Sequence, residues 1–427
     1  MRRPPTPPTP ARRPDWEFPV AGAKAVRRLA DFVRELRERD AHGNRRVFFD
    51  DVFVAHLLAF FNPGLRSLRK LEDFSQTRQA QRHLAAPRLT RSALSDYHRL
   101  ADAERLQPLL EALRGELDRG LPPHIVTPTG RPADGDLLAL LRRVEARDGT
   151  FLSVAADVAW AIGKRRPAVR GAPAAKGRQV RVDVSLHAGS WIPEVVAVHG
   201  AEASEAEQAA EIVRPGAVYL YDRGILSFDL LEKQLSAGAD FVHRLRTPGE
   251  RTPRLTPTEE RPLSDDDRRA GVAADRLGTL AGSQHRTPPT ATLREVVVAC
   301  PDDPESEVRL LTSLLDVPAW VVALLYRWRW QIELFFRWLK VYAGFDHLVS
   351  HSKAGVEVAV YTAVIGTLLV CLQSGGRPST HAFALLGLVA QGQATLEEIA
   401  PILRERERQS ALDRAGKARR AAAKKSV

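Results

Sequence analysis

The sequence predicts an α/β protein in which a sheet-bearing core lies between two helical regions. Helical hydrophobic periodicity dominates residues 23–121, and from about residue 136 short β-rich runs alternate with turn residues. Helical periodicity returns after Pro318. At 427 residues, with 44% hydrophobic and 27% charged residues, the chain has the size and composition of a globular protein with two or three domains.

The N-terminal part of the chain is predicted to be a tail followed by helices. Residues 1–20 are rich in proline and arginine, which predicts a disordered basic tail. The helical region spans 21–130 and contains segments such as DDVFVAHLLAFF. Pro63 and the glycine after it predict a break between helices, and Thr90 or Ser95 has the side-chain oxygen needed to cap a later helix.

Residues 136–246 form the first part of the predicted core. Predicted strands, separated by turn residues, lie in TFLSVAADVAWAI, RQVRVDVSLHAG, WIPEVVAVHG and AVYLYDRG. The next two segments, SFDLLEKQLSAGA and DFVHRLR, predict a helix and another strand. The resulting order of strand, helix and strand is typical of an α/β core.

Residues 247–317 separate this core from the C-terminal helices. The first part of the segment is polar, and REVVVAC and VRLLTSLL then predict strands. Structureless loops of such length are uncommon in compact domains, so we interpret the segment as a β-rich insertion. Residues 318–403 are predicted to be helical, and 404–427 form a second basic tail.

Charge and cysteine content restrict the class of protein. The net charge of +11 and the pI near 10 favour a polyanionic partner, of which nucleic acid is the simplest. Cys300 and Cys371 belong to no CxxC or Cys/His cluster, which predicts a reduced, cytosolic protein without structural zinc. The N-terminus lacks the apolar segment of a secretory signal. The longest apolar stretch, 358–372, is shorter than a bilayer span and predicts a buried helix packed beside the helix described next.

The segment YRWRWQIELFFRWLK carries the most informative charge pattern. On one continuous helix, four polar side chains and Arg337 fall within roughly 80 degrees of arc, and the large apolar residues cluster opposite. These four are Tyr326, Arg329, Glu333 and Lys340. In an ordinary surface helix, Glu333 would only pair with Arg329 and Arg337 at the two i,i+4 spacings. An acid held among several cations instead suggests a site that meets phosphate.

Two further acids are needed for metal-dependent phosphodiester chemistry, which uses carboxylates that converge on divalent cations. Asp222 follows an apolar strand and precedes Arg-Gly, where a turn can expose its carboxylate. Asp148, Asp157 and Asp183 are candidates for the remaining acid. Asp157 follows the apolar run FLSVAA and fits a strand end, whereas Asp183 alternates with valines and is more simply an outward-facing strand residue.

The pattern Tyr, two residues, Arg, three residues, Glu, six residues, Lys resembles the signature of the insertion sequence 4 group of DDE transposases. The strand followed by Asp222-Arg-Gly resembles the family's second-acid segment, although Ile225 stands where the family usually has Tyr. RDGTFLSVAADVAWAI resembles the first-acid segment and selects Asp148, with Gly149 and Thr150, over Asp157. The resemblance covers roughly residues 140 to 350.

The resemblance implies a ribonuclease H-like core with a mostly β insertion, and Asp148, Asp222 and Glu333 as catalytic ligands of Mg²⁺, for which Mn²⁺ can substitute. It implies cleavage at the ends of an insertion element, a hairpin intermediate and strand transfer into target DNA. Double-stranded DNA is the implied partner of a synaptic homodimer in the bacterial cytoplasm, near the nucleoid. The 21–130 helices are expected to bind DNA, and the backbone contacts near the acids are assigned to Tyr326, Arg329, Arg337 and Lys340. Two alternatives are a transposase-derived DNA-binding protein without activity and a metal-dependent nuclease without strand transfer.

Overall fold

A computed structural model describes most of the chain between residues 22 and 412. The described residues are 22–40, 46–117, 121, 125–153, 179–200, 204–246, 253–281, 287–300, 303–341, 349–350, 352–374, 385, 388, 393–395, 397–402, 404–406, 408–409 and 412. Asp157, the 1–20 tail and most of the C-terminal tail lie outside this part of the chain.

In the part of the N-terminal region that the structure describes, there are seven helices and two short 3₁₀ turns. The helices are α1 (Ala23–Arg28), α2 (Ala30–Arg39), α3 (Phe49–Phe61), α4 (Leu68–Ser75), α5 (Arg78–Gln81), α6 (Arg91–Leu100) and α7 (Gln107–Glu116), with 3₁₀ turns at Pro63–Leu65 and Ala103–Leu106. Thr90 caps α6 by accepting a hydrogen bond from the backbone of Ala93, as one of the two capping alternatives predicts. All thirteen residues of α3 are buried, so this helix is the centre of the N-terminal region.

Five strands and three helices follow in the described residues. They are α8 (Gly135–Leu141), β1 (Val144–Ser153), β2 (Gln179–His187), β3 (Pro193–Gly200), α9 (Glu205–Glu211), β4 (Val218–Tyr221), α10 (Phe228–Ser236) and β5 (Asp240–Arg244). The strand order is β3-β2-β1-β4-β5. β2 is antiparallel to both neighbours, while β1, β4 and β5 run parallel to one another.

Four more strands extend the same sheet. They are β6 (Leu255–Glu260), β7 (Val272–Leu280), β8 (Leu293–Cys300) and β9 (Asp303–Thr312), with α11 (Asp265–Arg269) between β6 and β7. β9 pairs antiparallel with β5, and β8, β7 and β6 follow in that order. The segment between β5 and the C-terminal helices therefore continues the sheet, which has nine strands in the described residues.

The C-terminal helices α12 (Ala319–Trp328), α13 (Trp330–Val341) and α14 (Lys353–Ser374) cover one face of the sheet and the N-terminal helices. The prediction of one continuous helix through YRWRWQIELFFRWLK is wrong, because α12 ends at Trp328 and α13 begins at Trp330. The backbone N–H groups of Arg329 and Ile332 each bond three residues back, which tightens the chain between the two helices.

The largest apolar core joins the N-terminal helices, the β1–β3 face, α13 and α14. Helix α14 is longer than the apolar run that predicts it, and Lys353–Leu372 is long and apolar enough to cross a bilayer. However, 83% of its apolar window is buried inside the protein. Trp338 of α13 donates a 2.9 Å hydrogen bond to Thr367 of α14, so the prediction that this buried helix packs beside the glutamate helix is confirmed.

Candidate active site

Three acidic residues reach one region from three separate elements. Ala146 of β1 lies opposite Leu220 of β4 in the parallel register. Asp148 and Asp222 are each two residues beyond this pair, and both contact the α12–α13 segment: Asp222 through Tyr326 and Asp148 through Arg329. Glu333 lies in the first turn of α13, which packs on β1 and β2.

Asp148 is a partly buried carboxylate with a raised pKa. Its Oδ1 accepts a 2.8 Å hydrogen bond from the backbone of Gly149. Burial raises the pKa of Asp148 to about 6, and the negative charges of Glu333 and Glu205 act in the same direction. The Gly149 N–H and the positive charge of Arg329 lower the pKa but do not outweigh the burial.

Asp222 contacts one phenol and one guanidinium. The Tyr326 hydroxyl donates a 3.2 Å hydrogen bond to Asp222 Oδ1, and burial raises the pKa of that phenol. The nearest guanidinium nitrogen of Arg244 lies 3.8 Å from the same oxygen. Arg244 directly follows His243, which lies opposite Tyr221, so β5 brings this cation to the level of Asp222.

Arg329 links the acids at the junction of α12 and α13. Its Nη2 donates a 2.6 Å hydrogen bond to Glu333 Oε1, and its Nη1 lies 3.8 Å from Asp148 Oδ2. Burial lowers the pKa of Arg329, but the interactions with Tyr326, Glu333 and Asp222 outweigh it and raise the pKa overall. The guanidinium therefore stays charged although it is only 7% exposed.

The predicted DNA-contacting residues occupy different environments. Tyr326 is partly buried against Asp222, and Arg329 is buried among the acids. Arg337 is exposed on α13, and Lys340 on the same helix is half-buried. In this arrangement, Arg337 and Lys340 are more accessible to a DNA backbone than Arg329.

Of the two other candidate aspartates, the structure describes only Asp183, which stands apart from this cluster. Asp183 of β2 lies opposite Gly149, where it bonds Arg181 at 2.8 Å and approaches His199 at 3.7 Å. A Cβ atom on Gly149 would come within 2.6 Å of the Asp183 carboxylate, so a larger residue there would push the pair aside. Asp157 lies outside the described residues, and its prediction stays open.

The donor chemistry of the three acids suits a hard divalent cation, because Mg²⁺ and Mn²⁺ prefer oxygen ligands. Glu333 Oε2 is a buried carboxylate oxygen that has no hydrogen-bond partner among the described residues, which also fits a cation ligand. In the described part of the chain, no three His, Cys, Asp or Glu side chains are grouped closely enough to hold a metal ion. Arg329 is the cation that contacts Glu333 and Asp148 in this arrangement.

Two residues near the acids were missed by the sequence interpretation. Arg244 is the last residue of β5, and its signal was a cation at the end of a strand beside the one that Asp222 follows. Trp191 lies in the turn between β2 and β3 and has φ 65°, a left-handed conformation that is unusual for a bulky residue. Its indole donates a 2.9 Å hydrogen bond to Gln331 and packs edge-on against Phe335, so it holds α13 on both sides of Glu333.

Comparisons with known proteins identify the family. The chain is 26% identical over 200 residues to a protein of Sinorhizobium fredii named as transposase y4zB, an alignment that covers 45% of this chain and 53% of the relative. It is 21% identical over 235 residues to a protein of Synechocystis named as a transposase for insertion sequence element IS4SA, covering 53% of this chain and 58% of the relative. The chain thus spans little more than half of either relative. A family model described as a transposase DDE domain matches residues 142–369, more than half of the chain, and the chain therefore belongs to the DDE transposase domain family.

Proposed function

We propose that this protein is a transposase that cuts DNA at the ends of an insertion element and joins the freed ends to a target. The observation that carries the proposal is the position of Arg329 between Glu333 of α13 and Asp148 of β1, with Asp222, which directly follows β4, close enough to raise the pKa of Arg329 by its charge. Family membership supports transposase function and a DNA partner. The hairpin intermediate and the ribonuclease H-like form of the core are part of the proposal, and the mixed sheet is consistent with that core.

In this proposal the three carboxylates hold divalent cations, Mg²⁺ or Mn²⁺. When bound, such a pair activates the attacking water or 3′ hydroxyl and stabilises the leaving oxygen. The protein supplies the fixed geometry: the β1–β4 register sets the spacing of Asp148 and Asp222, and packing of α13 on β1 sets Glu333. The Tyr326 hydroxyl restrains the Asp222 carboxylate through its 3.2 Å hydrogen bond.

DNA contacts are assigned by charge and accessibility. Arg337 and Lys340 would meet phosphates beside the acids through charge-assisted contacts, and Tyr326 and Arg329 would join them when DNA is bound. The helices within 21–130 would bind the element ends, with 136–246 and the Glu333 helix as the catalytic core. A homodimer that synapses two ends in the bacterial cytoplasm completes the proposal.

The decisive experiment incubates the full chain with Mg²⁺ and DNA that carries the ends of its own element. Hairpin and joined products would support the proposal. Binding without cleavage would indicate a DNA-binding protein derived from a transposase, and nicks alone would indicate a nuclease without strand transfer.

Substitution of the acids tests the site itself. Asp222→Asn and Glu333→Gln should abolish cleavage and leave DNA binding largely intact, because they remove metal ligands and no phosphate contact. The matched pair Asp148→Asn and Asp157→Asn decides the first acid: D148N should abolish cleavage and D157N should retain it. Cleavage by D148N would overturn its assignment.

A further inference from the structure

Arg329 stands in an unusual place for a residue expected to contact phosphate. It lies at the junction of α12 and α13 and is only 7% exposed, with its guanidinium directed to acids rather than to solvent. One nitrogen bonds Glu333 at 2.6 Å, and a second lies 3.8 Å from Asp148. The aromatic ring of Tyr326, centred 5.6 Å from the guanidinium carbon, covers it from one side.

The hydrogen bonding of this pair is incomplete on both sides. Nε and Nη1 of Arg329 are buried and have no hydrogen-bond partner among the described residues. Glu333 Oε2 is buried and unbonded in the same part of the chain. Buried polar groups without partners are costly, so the bridge neutralises charge but leaves two donors of Arg329 and one oxygen of Glu333 unsatisfied among the described residues.

We propose that Arg329 is an internal counter-ion, which balances the acids before metal binds and is displaced when a divalent cation takes its place. The proposal rests on the proposed function and adds a means of regulating the same site. A divalent cation bound by Glu333 would lie beside the Arg329 guanidinium, whose Nη2 is 2.6 Å from Oε1, and the two positive charges repel each other, so they compete for the same carboxylate. The displaced guanidinium is then available to a DNA phosphate, for which its planar fork is well suited.

A linkage between metal and DNA follows from this competition. Bound metal displaces Arg329 from the acids, which leaves Arg329 available to a phosphate. A phosphate that binds Arg329 leaves the acids available to metal, so each ligand raises the affinity of the protein for the other. Thermodynamic reciprocity requires the two effects to be equal in size, and couplings of this kind amount to about 5- to 150-fold in affinity. The acids would thus be loaded with metal mainly when DNA is present.

Titration of Mn²⁺ into the DNA-free full chain, followed by calorimetry, tests the proposal. Arg329→Gln should bind Mn²⁺ at least about fivefold more tightly than the unsubstituted protein, because it removes the competing cation. Arg327→Gln is the matched control: it removes the same charge from an exposed position on α12, two residues away, and should leave Mn²⁺ affinity nearly unchanged. Equal or weaker Mn²⁺ binding by R329Q would overturn the proposal.

A short mixed-sequence DNA duplex supplies the second readout. The duplex should raise the Mn²⁺ affinity of the unsubstituted protein and of R327Q, but not that of R329Q. If R329Q does not fold, Arg329→Lys, which keeps the charge but loses the fork, should show a smaller gain in Mn²⁺ affinity and a reduced effect of DNA. Unchanged values for R329K would then contradict the proposal.

Glu333→Gln separates this inference from the proposed function. If E333Q loses Mn²⁺ binding while R329Q gains nothing, the metal site stands and the counter-ion role of Arg329 fails. If neither the unsubstituted protein nor R329Q binds Mn²⁺, the proposed metal site fails, and the counter-ion role fails with it.

Discussion

Trp191 combines an unusual backbone conformation with side-chain contacts to the helix that carries Glu333, so we expect it to position that acid. It is fully buried, adopts φ 65° and reaches α13 through Gln331 and Phe335, two residues on either side of Glu333. Trp191→Phe keeps an aromatic ring and loses the N–H donor, at a cost of about 1–3 kcal/mol in unfolding free energy. We expect weaker Mn²⁺ binding as well, because α13 is less firmly placed. Urea unfolding and Mn²⁺ calorimetry measure the two effects.

Trp338→Phe is the matched control for that substitution. Trp338 lies on the same helix and donates an indole hydrogen bond of the same length, 2.9 Å, to Thr367 of α14. W338F should lower stability by a similar amount while changing Mn²⁺ affinity less than W191F does. Equal losses of Mn²⁺ affinity in the two variants would show that Trp191 contributes only general packing and does not position Glu333 specifically.

Local sequence patterns predicted some of these residues and missed others. Asp222 follows a short apolar strand, Asp148 belongs to a segment that resembles the family's first-acid segment, and Glu333 belongs to a spaced pattern, so each has a local signal. Trp191 has no such signal, since its partners Gln331 and Phe335 are more than a hundred residues away along the chain. The burial of Arg329 was also missed, because it depends on how β1 and β4 meet the α12–α13 junction.

The helical elements show where periodicity misleads. A constant 100 degrees per residue carries Tyr326 and Lys340 onto one face of one helix. The 3₁₀-type hydrogen bonds around Arg329 interrupt this constant rotation per residue. Tyr326 therefore belongs to α12 and Lys340 to α13. The sequence of this segment shows apolar spacing and no Pro or Gly. Neither feature indicates that the helix is interrupted at Arg329.

A histidine pair joins helices α3 and α6 and predicts an acid-sensitive N-terminal region. The Nε2 atoms of His56 and His98 lie 2.8 Å apart, and burial lowers the pKa of His56 to about 3 and that of His98 to about 4. Both stay neutral in the folded state, whereas the unfolded chain takes up protons below pH 6.5. Stability should therefore fall as pH drops from 6.5 toward 4, by up to about 1.4 kcal/mol per pH unit for each histidine.

Urea unfolding between pH 7 and 4.5 measures this dependence. The double variant His56→Gln and His98→Gln cannot titrate, so its unfolding free energy should fall less steeply than that of the unsubstituted protein. His243 has a pKa lowered to about 3 by burial and remains in both proteins, so the difference in slope belongs to the pair. Identical slopes would show that the pair is not responsible for acid sensitivity.

At the scale of the whole molecule, the α/β class was predictable but the continuity of the sheet was not. Period-two runs located strands on both sides of residue 247, as β2 and β8 illustrate. Pairing of β9 with β5, which joins the last four strands to the first five, depends on contacts 66 to 70 residues apart along the chain, such as His243 with Leu311. Strand pairing at that distance leaves no local pattern in the sequence.

With a net charge of +11, the protein should bind DNA with an affinity that falls steeply as the salt concentration rises. If Lys340 contacts a phosphate, Lys340→Gln should weaken DNA binding and lower the slope of log K against log salt concentration by about 0.9. Lys353→Gln is the control, since Lys353 is 60% exposed on α14 and pairs with Glu357 at 3.6 Å. Fluorescence anisotropy across a salt series measures both slopes. A slope unchanged by K340Q, or lowered equally by K353Q, would leave Lys340 as an ordinary solvated lysine and move the DNA path away from α13.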